Sequence, residues 1–132
     1  MVEEISESLL NIIKNGETYT TEFKEATTDL PKSLFESICG MLNRNGGHIF
    51  LGVKDNRDII GVDEKSVNKM KKYFSNLCNN PQKISPTIYV KMHEYEYNGK
   101  IILHIYIPQS STVHRASGKI YDRNQDGDKK KK

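Results

Sequence analysis

The sequence has no tryptophan and two cysteines, Cys39 and Cys78, too far apart for a Cys-x-x-Cys motif. A disulfide-dense or zinc-ribbon framework is therefore excluded, and both residues read as reduced thiols of a core. Cys39 stands beside Ile38 and Leu42 in a helical pattern, which suits a small buried hydrophobe. No apolar run approaches the roughly 20 residues of a membrane-spanning helix, so no membrane partner is expected. The acidic start Met1-Val2-Glu3-Glu4 lacks the basic region of a secretory signal, and a cytoplasmic location is the expectation. A strong charge bias is also missing. The formal charge of +3 rests on Lys129 to Lys132, and without these four the balance is 16 basic against 17 acidic residues. Overall charge therefore makes no case for nucleic acid, and only clustering of basic groups would do so.

The 132 residues, 36% hydrophobic and 28% charged, fit one domain with a real core. A domain over residues 1–123 is expected, followed by a disordered or added tail over 124–132, where polar and like-charged residues accumulate. In residues 3–15, Ile5, Leu9, Ile12 and Ile13 recur at helical spacing, and Gly16 marks a stop. Residues 18–25 alternate as a strand, with Tyr19, Thr21 and Phe23 on one side and Thr20, Glu22 and Lys24 on the other. Residues 31–44 form a second helix with Pro31 in its first turn and Leu34, Ile38, Met41 and Leu42 inward.

Residues 48–53 are apolar on both faces, as in a central strand, and residues 59–62 start a returning one. Asp63 caps a third helix with Val67, Met70, Phe74 and Leu77 inward. Residues 87–97 and 100–107 form a hairpin around Asn98-Gly99, and a last strand covers 119–123. This order gives an α+β fold with a single mixed β-sheet and helices packed against it.

Chemistry concentrates in residues 17–62. Glu17, Glu22 and Asp55 are acidic groups near strand ends, and brought together they would hold Mg²⁺ or Mn²⁺ through oxygen. Such an ion activates water against a phosphodiester. Lys24, two residues from Glu22 on the same strand face, offers a point charge to phosphate. The five-residue step from Glu17 to Glu22 opposes convergence within one regular strand, so Glu17 has to precede the strand proper. Spacing alone favours the plainer reading of solvated surface charges. Asn45-Gly46-Gly47 allows a tight turn into the strand, or a close backbone approach to phosphate. It is neither a P-loop nor a dinucleotide fingerprint.

Glu17-x4-Glu22-Phe23-Lys24, a helix ending Asn43-x-Asn45-Gly46-Gly47, then Ile49-Phe50-Leu51-Gly52-Val53-x-Asp55 and Ile59-Ile60-Gly61 together resemble the Schlafen-type AlbA_2 domain, also described as a DNA-binding or divergent AAA-4 family. Pro86, the hairpin and Gly118-x-Ile120-Tyr121-x-Arg123 are similar to its closing segment, so the resemblance runs over about residues 17–123. It implies an AlbA_2-like fold and a nucleic-acid-binding domain, for DNA or RNA, of a bacterial transcriptional-regulator-like protein. It also implies an alternative, a metal-dependent Schlafen-like endoribonuclease using Glu17, Glu22 and Asp55 with Mg²⁺ or Mn²⁺. Catalytic Schlafens pair two lobes in one chain; this sequence has one, which would have to dimerise to build such a cleft. Binding without a cofactor is therefore the preferred reading for the single lobe. A dimerising protein-interaction module is a third.

Counting outward from Asn98-Gly99 pairs Tyr97 with Lys100, Tyr95 with Ile102, His93 with His104 and Lys91 with Tyr106. Lys91, His93, Tyr95, His104 and Tyr106 then share a face fit to stack bases and meet phosphates, or simply a half-exposed sheet surface or dimer contact. Two facing histidines lack the third ligand of a zinc site. Ile101, Leu103, Ile105 and Ile107 line the opposite, core face. His114, Arg115, Lys119 and Arg123 form a basic cluster, and Lys65, Lys69 and Lys72 a stripe on the third helix. Asn45, Gly46, Gly47, Lys24, Lys91, His93, His104, Arg115, Lys119 and Arg123 are thus the candidate nucleic-acid contacts.

Overall fold

A computed structural model describes the backbone of residues 2–124 and 127–130 and the side chains of residues 2–122. The described elements, in chain order, are β1 (Glu3–Glu4), α1 (Glu7–Lys14), β2 (Thr21–Lys24), α2 (Leu34–Leu42), β3 (Gly47–Leu51), α3 (Val67–Cys78), β4 (Ile84–Ser85), β5 (Met92–Tyr97), β6 (Lys100–Ile107), β7 (Arg115–Ala116), β8 (Tyr121–Asn124) and β9 (Gly127–Lys130). Five strands form one sheet in the order β1-β5-β6-β3-β2. It is mixed: β1 runs parallel to β5 and β2 parallel to β3, while β5–β6 and β6–β3 are antiparallel. The expected α+β fold with one mixed sheet is the observed one.

Local chemistry sets the boundaries. Ser6 caps α1, its hydroxyl accepting from the Leu9 amide at 3.2 Å, and Gly16 leaves the helix at φ +84°. The chain before Ser6 does not extend the helix: Glu3–Glu4 pairs with Tyr95–Glu96, and the Ile5 amide continues that pairing to the Glu96 carbonyl. Ile5 still packs with Ile13, as the periodicity anticipates. Asp63 starts α3 through a single 3₁₀ turn, Glu64–Ser66, accepting from the Lys65 amide at 3.3 Å. Asn98 and Gly99 both take positive φ and close the β5–β6 hairpin, in the register counted from sequence.

Both faces of the sheet carry apolar packing, in different amounts. On one face, α2 and α3 bury Ile49, Leu51, Leu103, Ile105 and Ile107 in the main core. On the other, α1 covers only part of the sheet, over Phe23, Phe50, Val53 and Ile102. β6 is thereby buried on both sides from Ile101 to Ile105.

Three expectations change. Residues 59–62 make only single bridges, Val53 with Ile59 and Val62 with Ile101, because Gly52 and Gly61 at positive φ bend the chain too sharply for a strand. The strand expected over 87–97 begins at Met92, and the short pair β4–β7 was not anticipated. The backbone of Gly127–Lys130 pairs with β8, so this part of the expected tail has a strand partner. Gln125, Asp126, Lys131 and Lys132 lie outside the described residues.

Candidate nucleic-acid interface

Strand β2 is an edge strand, and Glu17 lies before it, after the turn at Gly16. The chain folds back so that Thr18 and Thr21 exchange backbone hydrogen bonds, and the Glu17 carboxylate accepts from the Phe23 amide at 2.9 Å. Glu17 thus satisfies an outward amide of the free edge, which blocks strand addition there. On the α2 side of the sheet, Lys24 is half-buried, donating to Ser33 Oγ at 2.9 Å and lying 3.6 Å from Glu22. Asp55 stands exposed in the 54–58 turn, which Arg57 ties to the end of α1 through the Lys14 carbonyl at 3.1 Å.

Among the described residues, no group of three His, Cys, Asp or Glu side chains is placed to hold a metal ion. A divalent ion would have to compete with the Lys24 ammonium for Glu22 and with the Phe23 amide for Glu17. Glu17, Glu22 and Asp55 as arranged therefore do not fit Mg²⁺ or Mn²⁺.

Gly46 and Gly47 are buried at φ +73° and +154°. A Cβ on Gly46 would run into the Ile107 carbonyl, and one on Gly47 into the Thr20 carbonyl. The pair lets α2 turn directly into β3 between two neighbouring strands, and protein fills the space beside it. Asn45 is exposed at the rim of this turn. Arg115 and Lys119 are exposed around the small β4–β7 pair, away from the five-stranded sheet, while His114 is buried there. His114 is tied to Ser110 Oγ and the Pro86 carbonyl, both at 2.9 Å, and Asn43 accepts from its amide at 2.7 Å. The Arg123 side chain lies outside the described residues. Lys91 is exposed just before β5, and its expected pairing with Tyr106 falls outside the β5–β6 ladder.

On the β5–β6 face the expected register is the observed one from Met92 to Tyr97, and β3 adds further rings beside it. His93 and His104 are direct cross-strand partners, and Phe50 faces His104 from the other side across β3–β6. Pairing of His48 with Tyr106 adds a further ring from β3. The rings lie close enough to form one cluster, with Phe50 and His104 buried inside it. His48 and His104 have centroids 5.2 Å apart, His48 and Tyr106 5.3 Å, Phe50 and His104 4.8 Å, and Tyr95 and His104 6.2 Å. Beyond the cover of α1, His93 is exposed, His48 half-buried and Tyr106 56% exposed.

Within this surface, His48 Nδ1 and His104 Nε2 share a hydrogen bond at 2.9 Å, and His104 Nδ1 is buried without a partner among the described residues. Burial, with the charges His48 and His93 would carry, pushes the His104 pKa down to about 4, and burial also lowers that of His48. Near neutral pH the buried His104 ring is therefore uncharged.

Sequence reasoning missed His48, because residues 48–53 read as apolar on both sides. The β3–β6 register that sets His48 beside Tyr106 is a long-range pairing with no local turn to announce it. The alternation His48-x-Phe50 was the available signal.

The cysteines take no part in this surface. Cys39 donates to the His114 carbonyl at 3.1 Å, and burial pushes the Cys78 thiol up to about 12.

Comparison with known proteins gives a family and a fold. The Schlafen, AlbA_2 family matches residues 17–132. The N-terminal domain of a RecG-related protein from Nitrosomonas europaea superposes with a TM-score of 0.59 at 22% identity, over 77% of this chain and 71% of that one. The DIP2311 protein from Corynebacterium diphtheriae superposes with a TM-score of 0.63 at 16% identity, over 86% of this chain but 22% of its own length. At these identities the two structures support the fold alone. Compared with curated proteins, the sequence matches none. Among the described residues, no helix is long and apolar enough to cross a membrane. The Glu-x4-Glu strand, the glycine turn into β3 and the mixed sheet they build are accounted for together: the chain belongs to the Schlafen, AlbA_2 family.

Proposed function

We propose that this domain binds nucleic acid and holds unpaired bases against the open part of its sheet. The observation that carries the reading is the run of rings across three adjacent strands, with Tyr106, His48 and His93 at its accessible surface. Flat aromatic and imidazole faces stack on any base, at about 1–3 kcal/mol per base. A duplex hides those faces, so single strands, loops and ends are the fitting partners. Family membership supports nucleic acid as the ligand class.

Lys91, just before β5, is the basic residue nearest in sequence to the ring-bearing part of that strand. Lys24, Arg115 and Lys119 belong to other surfaces. Stacking, rather than phosphate neutralisation, is therefore the main source of affinity, and the salt dependence should be shallow.

The test is fluorescence anisotropy with labelled single-stranded and duplex oligonucleotides over a salt series. Single strands should bind more tightly than the duplex, and Tyr106→Ala should weaken binding by about tenfold. Equal binding to the duplex, or binding indifferent to Tyr106, would contradict the reading. Concentration-dependent self-association through this face, without affinity for oligonucleotides, would favour a dimerising module instead.

A further inference from the structure

The opposite side of the molecule carries a second surface. Val67, Met70, Phe74 and Cys78 turn the inner side of α3 into the core. Its outer side presents Lys69, Lys72, Tyr73 and Asn76, spaced i, i+3, i+4 and i+7, so they form one stripe. Two adjoining depressions flank this stripe, about 370 and 310 Å³ in volume, and Leu30 and Tyr73 line both. Met70 contributes to the first, and Pro31 and Leu77 to the second. Tyr73 is 55% exposed, an unusual position for a large ring beside half-buried Leu30 and Leu77.

The rim is basic. Lys69 and Lys72 border the first depression, and Lys32 and Lys83 the second, against a single acid, Asp29. Asp29 is 3.4 Å from Lys69 in a pair with both side chains well exposed, which solvent screens heavily. Lys32, Lys72 and Lys83 have no ion-pair partner among the described residues.

From this arrangement we infer that the groove along α3 is a docking site for an acidic peptide segment bearing apolar side chains. The floor is apolar and concave, with room for side chains in each depression, while the lysines stand where flanking carboxylates would lie. Grooves of this form take a peptide by its apolar anchors and orient it by charge. A phosphate chain would leave the floor empty, and one exposed tyrosine is a poor platform for successive bases. The site lies on the α2–α3 side of the sheet, opposite the ring surface, so the two ligands would not compete for space.

The test is titration of the isotopically labelled full chain, followed by backbone chemical shifts. Its probes are a short peptide alternating glutamate and leucine, the matching lysine–leucine peptide, and a single-stranded oligonucleotide. The acidic peptide should shift Leu30, Tyr73 and Leu77 saturably, with affinity falling as salt rises. Tyr73→Ala should weaken it by about tenfold. Lys72→Glu, at an exposed position that spares the fold, should weaken it by about fivefold. Equal binding of the lysine peptide, affinity unchanged in either variant, no saturable shift, or oligonucleotide shifts centred on Tyr73 would each overturn the proposal.

Discussion

The two faces of the sheet are built from the same strands and do different work. On the α2–α3 face, Ile49, Leu51, Leu103, Ile105 and Ile107 are all fully buried. On the α1 face, an eight-residue helix covers Phe23, Phe50 and Ile102 and leaves the rings of His48, His93 and Tyr106 at the surface. One face holds the fold together by apolar burial. The other holds rings in a fixed array at a cost in apolar cover, as expected of a recognition surface set on a rigid scaffold.

The comparison breaks most directly by truncation on each face. Leu103→Ala should cost about 3 kcal/mol in urea unfolding, because it opens a cavity between β6 and the α2–α3 layer. Tyr106→Ala should stay within about 0.5 kcal/mol. Similar losses in both variants would mean that the ring face is core, and would remove the distinction.

Acid sharpens the contrast next. The His104 pKa is lowered in the fold from 6.5 to about 4. The unfolded chain therefore takes up the proton first, and stability present above about pH 6.5 is lost as the pH falls toward 4. The loss should be on the order of 2 kcal/mol, and His104→Phe should flatten this part of the pH profile. An unchanged profile in that variant would show that the buried imidazole is not its source.

The smallest expected effect concerns the sheet edge. Glu17→Ala frees the Phe23 amide, which water can then reach, and should cost about 1 kcal/mol with little change in oligonucleotide affinity. A large loss of binding without loss of stability would instead make Glu17 part of a binding or reactive site.

What was legible in the sequence follows from the range of each interaction. Asn98-Gly99 sets the β5–β6 register by turn geometry, so His93 and His104 could be paired by counting. The inward stripes of α2 and α3 follow from helical period, and Asp63 announces its own cap. The parallel β2–β3 pairing and the antiparallel β3–β6 pairing join distant segments with no local signal, and they bring His48 to Tyr106.

The Glu17 position was legible in part. The odd spacing to Glu22 allowed convergence only if Glu17 preceded the strand; Glu17 does precede it, but its hydrogen bond to Phe23 depends on the fold-back at Thr18 and Thr21. Gly46 and Gly47 were ambiguous between a tight turn and a phosphate contact. Their neighbours, the carbonyls of Ile107 and Thr20, both belong to segments distant in sequence.

The account turns on which face meets nucleic acid. Chemical-shift mapping of the full chain with a single-stranded oligonucleotide, read at the imidazole of His48 and the amides of His93 and Tyr106, tests it most directly. Saturable shifts at these three residues, with α3 unmoved, are the predicted result. Shifts confined to α3 or to the 115–119 segment, or none at all, would contradict it.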